Sequence, residues 1–304
     1  MNGNDREIFT FDAAGTTFYG RVEAIHAGGV TFDTVGTDPG GVSFLPDAHG
    51  AALMIATGRG AGQYRRIVSF ELSLNATNGR LSHWTIDKPF AIAPDPDALI
   101  QVMPFRGRTI HYNSKYEDGG SFQFTQIGIE NLVYGVTMER TDGMVSFGQW
   151  RGGWESGFGG PGNFINPNVL TQFIGNEVLE GLRASHQATQ LGQHTFGDKV
   201  MFQGNGLGIV NAWVGMRDIG VPGDIHTGCH NSTPEVECVG QNRLITLRRN
   251  KMHSNAGILV GPSIDCLIEG NTVLQTPASS IAHYAAQDGI SVSPLARAVM
   301  LRNN

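Results

Sequence analysis

Residues Ile245-Thr246-Leu247-Arg248-Arg249-Asn250-Lys251-Met252, which return as Leu267-Ile268-Glu269-Gly270-Asn271-Thr272-Val273, decide the fold. Each stretch is a phrase of apolar residues, one or two small or polar residues and then Asn, and the two Asn are 21 positions apart. The phrase also stands at Phe173-Ile174-Gly175-Asn176, Phe202-Gln203-Gly204-Asn205 and Leu301-Arg302-Asn303-Asn304. Earlier, Tyr112-Asn113 fits it, and Leu132-Val133-Tyr134-Gly135-Val136 fits with Val in the Asn place, 23 positions on. A fixed spacing of this size marks a repeat architecture in which each unit stacks on its neighbours. The longer spacings of 29, 33, 40 and 45 hold a surplus that either leaves the stack as a loop or hides a unit whose Asn is missing. Asn suits a fixed corner because it tolerates left-handed backbone and its amide can bond the amide stacked above. The reading is an all-β chain whose strands stack and close into a parallel β-helix. An irregular sandwich would share the glycine but not the spacing.

Composition agrees. Glycine supplies 42 of 304 residues, and only 16% are charged against a usual fraction of about 25%. Hydrophobic residues at 40% fill a core, and only four of the 21 basic residues are Lys, which excludes a disordered polyelectrolyte and a coiled coil. A net charge of −6 with no basic stripe argues against a nucleic-acid surface. Apolar runs such as Ala51-Ala52-Leu53-Met54-Ile55-Ala56 fall far short of the roughly 18 residues that span a bilayer. Met1-Asn2-Gly3-Asn4-Asp5-Arg6-Glu7 carries no secretory signal pattern, while the fold reading points to an extracellular, periplasmic or cell-surface setting. Cys229 and Cys238 flank a polar loop that a disulfide could close, and Cys266 sits in an apolar strand as a buried thiol. His226 and His230 near Cys229 complete no familiar zinc spacing.

Strands are expected at Arg66–Phe70, Leu99–Met103, Ser121–Phe124, Arg243–Leu247 and Gly257–Val260, with one helical candidate at Glu177–Gln187. Two regions result: an irregular β-rich lead-in of hairpins or a small barrel over 1–57, and the parallel β-helix over 58–304. Gly58-Arg59-Gly60-Ala61-Gly62-Gln63 lacks the Gly-Lys-Ser/Thr of a phosphate loop and reads as a tight turn. The last phrase, at Arg302-Asn303-Asn304, leaves a unit open, which predicts a longer natural protein.

The run from Ile245 through Gly257-Ile258-Leu259-Val260 to Val273 resembles consecutive right-handed parallel β-helix repeats of the pectate-lyase-like superfamily, over about residues 99–304. That resemblance implies an extracellular protein, among polysaccharide lyases, glycoside hydrolases, phage tailspikes and non-catalytic surface proteins. It is a resemblance to the repeat and to no particular enzyme. Trp84-Thr85-Ile86-Asp87 only shadows a pectate lyase phrase and reads as a strand entering a turn, the polygalacturonase motifs are not present, and Asp288-Gly289-Ile290 has only the Asp-Gly-Ile common to repeat strands.

Chemistry is sought in a second column, an acidic residue before the glycine that opens the next strand: Asp118, Asp142, Glu180 and Asp288. Asp-Gly is common turn chemistry. Stacked at about 4.8 Å, however, such carboxylates approach the separation of retaining glycosidases and push their pKa values apart. Alternatively Glu117, Asp118 and Asp142, with Glu139 and Glu155 near, hold Ca²⁺. Lyase chemistry needs a base and a cation, which Lys115, Arg140, Arg151, Arg183, His186 and His194 offer. The Gly-rich loop with Trp150, Arg151, Trp154 and Glu155 suits a sugar-stacking rim, and Trp213 reads as core. The expected function is a polysaccharide-cleaving β-helix enzyme, lyase or hydrolase, with its groove between about residues 115 and 195. The alternative is a non-catalytic β-solenoid for surface attachment, or a tailspike segment.

Overall fold

The computed structural model describes residues 7–12, 18–26, 28–37, 47–56, 58–75, 79–96, 98–125, 128–141, 143–147, 149–151, 164–166, 168–181, 197–198, 201–203, 206–209, 212–214, 242–254, 258–260, 263–275, 290–292 and 296–304. Among them every regular element is a strand.

A period of two governs the first third of the chain. On β6 (Gly79–Ile86), Ser82, Trp84 and Ile86 are buried and alternate with half-buried Leu81, His83 and Thr85. On β3 (Thr31–Thr37), Phe32 and Thr34 do the same. One-sided strands of this kind must close on a shared core. With β2 (Phe18–Ile25), β4 (Ala52–Ile55), β5 (Tyr64–Asn75) and β7 (Leu99–Met103) they form a closed antiparallel barrel in the order β2-β3-β6-β5-β4-β7. Phe18, Phe32, Leu53, Ile55, Ile67, Trp84, Ile100 and Val102 fill it. The one polar hydrogen of the Trp84 ring is donated to Thr34 Oγ1 at 2.9 Å, so burying the indole leaves no orphan donor.

β4 and β7 are buried on both faces. Their outward side chains Ala52, Met54 and Met103 pack with Ile129 and Val169, joining the barrel to the strands C-terminal to it. The short strand β1 (Glu7–Asp12) lies before the barrel in sequence but pairs in parallel with β10 (Ser121–Thr125), beyond it. The barrel is thus inserted between a strand and its ladder partner.

The remaining strands form parallel ladders, apart from one antiparallel pair. In chain order they are β8 (Ile110–Tyr112), β9 (Lys115–Glu117), β10, β11 (Leu132–Tyr134), β12 (Thr137–Thr141), β13 (Gly143–Phe147), β14 (Gln149–Arg151), β15 (Phe164–Asn166), β16 (Asn168–Val169), β17 (Gln172–Ile174) and β18 (Glu177–Gly181). Then come β19 (Gly197–Asp198), β20 (Met201–Gln203), β21 (Gly206–Ile209), β22 (Ala212–Val214), β23 (Asn242–Arg243), β24 (Thr246–Arg248), β25 (Lys251–Ser254), β26 (Ile258–Val260), β27 (Ser263–Glu269), β28 (Thr272–Gln275), β29 (Ile290–Val292) and β30 (Arg297–Arg302). One ladder runs β8-β11-β17-β20-β24-β27, with β30 also on β27, and a second runs β9-β12-β18-β21-β25-β28. Smaller parallel sheets are β1-β10-β13 and β22-β26-β29, and β14 pairs with β15 antiparallel.

Two corners mark each of β8, β11, β17, β24, β27 and β30. Arg108, Glu130, Leu170, Leu244, Asp265 and Ala298 have φ between 50° and 58°, and Asn113, Gly135, Gly175, Arg249, Gly270 and Asn303, each five residues later, have φ between 48° and 63°. Left-handed backbone costs a non-glycine residue about 1–2 kcal/mol. Hydrogen bonding around the second corner offsets it. Asn250 Nδ2 donates to Asn271 Oδ1 at 2.9 Å, and Asn271 Nδ2 donates to Asn304 Oδ1 at 2.9 Å and to the Leu247 carbonyl at 2.8 Å. Asn176 spans a wider gap the same way, accepting from the Val136 N–H at 2.9 Å and donating to the Val133 carbonyl at 3.1 Å.

The expected Asn ladder is therefore real, with a shift of register. The left-handed residue is the one before the laddered Asn, and Asn113 itself holds that left-handed place because Tyr112 pairs with Tyr134 and so sets Asn113 level with Gly135. The helical candidate from Glu177 opens instead as strand β18: Val178 follows the parallel pairing of Met138 and Leu207, and Asn176 closes a corner before it. Leu99–Met103 and Arg66–Phe70 are antiparallel barrel strands, because their inward residues face Trp84 and Phe18 and not a parallel neighbour. The division drawn between residues 57 and 58 falls between two paired barrel strands, β4 and β5. Trp84–Asp87 is a strand entering a turn, and Cys266 is buried on β27, both as the sequence predicts. Cys229, Cys238, His226 and His230 lie outside the described residues.

Candidate functional site

On β9 the alternation turns Tyr116 inward against Phe122, ring centroids 5.8 Å apart, and leaves Lys115 and Glu117 facing out. On β12, Met138 is fully buried, and Thr137 and Glu139 face the same side. In-register pairing sets Glu117 beside Glu139 and Lys115 beside Thr137, which in turn stands beside Glu177. Lys115 Nζ bridges the two carboxylates: it contacts Glu117 Oε1 and lies 3.0 Å from Glu139 Oε2. Its pKa is raised by the bonds to Glu117 first and Glu139 second. This is an exposed ionic face in which one ammonium is shared by two carboxylates.

Asp118 comes next at the same strand end, exposed and left-handed at φ 53°, and its N–H donates to the Glu139 carbonyl at 3.1 Å. The two Asp-Gly pairs do not open their strands alike, since Gly143 opens β13 and pairs with Ser121, two residues beyond Gly119. Glu180 is on β18, one residue beyond Leu179, and Arg140 is one residue beyond its partner Glu139, so the residue that runs level with Glu180 is a cation. Trp150 and Arg151 are on β14, paired with Ile165 and Phe164. Trp213 is on β22, level with Leu259. Asp142, Trp154, Glu155, Arg183, His186, His194 and Asp288 lie outside the described residues. Of the sequence candidates, the structure brings together Lys115, Glu117, Glu139 and Asp118. Among the described residues no group of three His, Cys, Asp or Glu is placed to hold a metal ion.

Three clusters were not visible in the sequence. At the junction of barrel and ladder, the Tyr64 hydroxyl donates to Glu130 Oε1 and Arg108 Nε donates to Glu130 Oε2 at 2.7 Å. Burial and the adjoining Glu130 push the Tyr64 hydroxyl up to about 12. Burial acts to raise Glu130, but bonds from Tyr64 and Arg108 outweigh it and leave its carboxyl below the ordinary value. On the barrel wall Asp33 joins His26 Nε2 at 2.8 Å and His83 Nδ1 at 2.5 Å. Burial raises that carboxyl, and the two histidines more than reverse it. On the first ladder Tyr112 and Tyr134 stand side by side, both more than half exposed. Each set includes a contact between residues more than 20 positions apart, and no local motif announces them.

The Gly58–Gln63 stretch is the expected turn, between β4 and β5. The Arg59 N–H donates to Asp95 Oδ2 at 3.0 Å, so an internal carboxylate takes the donor that a phosphate would need.

The sequence matches no protein-family model and no curated protein.

Proposed function

We propose that this chain is a right-handed parallel β-helix protein that engages a polysaccharide along the side of its ladder, at a cell surface or in an extracellular setting, as an attachment surface. The repeat phrase, the left-handed corners and the ladders taken up in chain order support the solenoid. The observation that carries binding over cleavage is the Lys115 bridge between Glu117 and Glu139. Two glutamates on adjacent strands have the spacing for acid and nucleophile in a retaining glycosidase. That chemistry needs one carboxyl free to serve the leaving group and the other free to attack carbon, and both are turned onto the Lys115 ammonium instead. Charged groups on an open face suit hydroxyl recognition instead.

The test is a polysaccharide panel read three ways: binding by calorimetry, new reducing ends, and absorbance of unsaturated uronate. Binding without either product supports attachment. Reducing ends that vanish in Glu117→Gln or Glu139→Gln favour the hydrolase reading. Unsaturated uronate places a lyase site elsewhere on the chain, with Asp142, Arg151 and His186 the first residues to substitute.

A further inference from the structure

We infer that the stripe of Ile110, Tyr112, Leu132, Tyr134 and Ile174 is a pyranose-stacking subsite, built around the exposed Tyr112 and Tyr134 rings; this rests on the polysaccharide reading above. Tyr112, Tyr134 and Ile174 occupy one register column on β8, β11 and β17, and Ile110 and Leu132 occupy the next. Ile110 is 65%, Tyr112 63% and Tyr134 51% exposed, on strands whose inward residues are covered. Parallel pairing holds the two tyrosine backbones about 4.8 Å apart, so the two rings project from the same exposed face of successive repeats.

The Tyr134 ring leans along the ladder toward the next repeat: a Cβ on Gly175 would stand in ordinary contact with its Cε2, at 3.9 Å. A pyranose offers such a ring a C–H face edged by hydroxyls.

The setting identifies the occupant. One repeat carries Tyr112, the exposed Asn113, Lys115 and Glu117 in succession around a single corner, and the next carries Tyr134, Thr137 and Glu139. Each ring therefore lies one corner away from the donors and acceptors of its own repeat, which stand on the next strand. A sugar needs both at that range. A stable protein interface takes about 20–30 residues a side, and this apolar stripe has five.

The experiment uses the full chain and the tightest-binding polysaccharide of the panel. Tyr112→Ala/Tyr134→Ala together lower affinity at least tenfold with the melting temperature kept, and Tyr134→Trp retains or improves binding. Unchanged affinity in the double variant overturns the stripe while leaving polysaccharide binding intact. A wild type that binds no polysaccharide overturns both. Loss of a wild-type dimer in sedimentation, with glycan affinity unchanged, makes the stripe a protein contact and also overturns the inference.

Discussion

Asn271 is bonded to the ladder on both sides. Its Oδ1 accepts from the Asn250 N–H at 3.0 Å and from the Asn250 amide, and its own amide serves the Leu247 carbonyl and Asn304. It is 4% exposed, so removing the side chain takes these bonds from the buried Asn250 and Leu247 groups where water does not replace them. Asn271→Ala should cost about 1–3 kcal/mol, and Thr272→Ala, exposed and next in sequence, close to nothing. Chemical denaturation of both checks it; equal midpoints would refute the ladder's weight. Asn at 250, 271 and 304 was legible as a column because one residue type recurs at a period. The first corner was not, since Arg108, Glu130, Leu170, Leu244, Asp265 and Ala298 share a conformation and no chemistry. Their left-handed φ is imposed by pairing on either side, which sequence spacing does not report.

At the scale of elements, a glycine marks where the barrel hands over to the ladders. A Cβ on Gly107 would lie 1.6 Å from the Ile129 carbonyl oxygen, in a parallel bridge where the Arg108 N–H donates to that same oxygen at 2.9 Å. Backbone cannot yield there as a side chain can. Gly107→Ala should destabilise by several kcal/mol, or prevent folding, whereas Gly28→Ala, which meets nothing within 4 Å though its φ is 86°, should cost about 1 kcal/mol. The Asp33 cluster fixes how the barrel answers to acid. Its depressed carboxyl pKa contributes stability that is complete above the unfolded value near 3.8 and lost as pH falls below it toward the folded value. Asp33→Asn should flatten the fall in melting temperature between about pH 4 and pH 2; an unchanged acid slope would remove Asp33 from the account. The barrel itself was half legible. Hairpins before residue 57 were readable from turn pairs, but β5, β6 and β7 alternate as any strands do, and only their antiparallel closure separates them from the ladder. The site was legible to the same degree, with Lys115, Glu117 and Asp118 flagged by charge. Their pairing with Glu139 depends on register between strands.

Over the whole molecule, barrel and ladder are tied by Tyr64, Arg108 and Glu130 and by the Met54, Met103, Ile129 and Val169 contact. Glu130→Gln removes the charge that both partners address. With the apolar contact left in place, calorimetry should then show the single unfolding transition broaden or split, while a variant at exposed Glu71 leaves it single. A single sharp transition in Glu130→Gln would assign the tie to the apolar contact.

The pairing of β1 with β10 sets an order of events during synthesis. Residues 7–12 leave the ribosome long before Ser121–Thr125 exist, and a chain of more than a hundred residues would have to close on itself to join them. The barrel shortens that search. Once Phe18 sits opposite Val102, only the short links on either side of the barrel remain to be closed, which lowers the entropic cost by about 1 kcal/mol. A nascent chain released before residue 103 would carry β1 as an unmatched strand, and one released after 125 would already hold it. Arrest at successive lengths, followed by brief proteolysis at the N-terminus, should therefore show protection appearing in one step, after the barrel has closed and β10 has emerged.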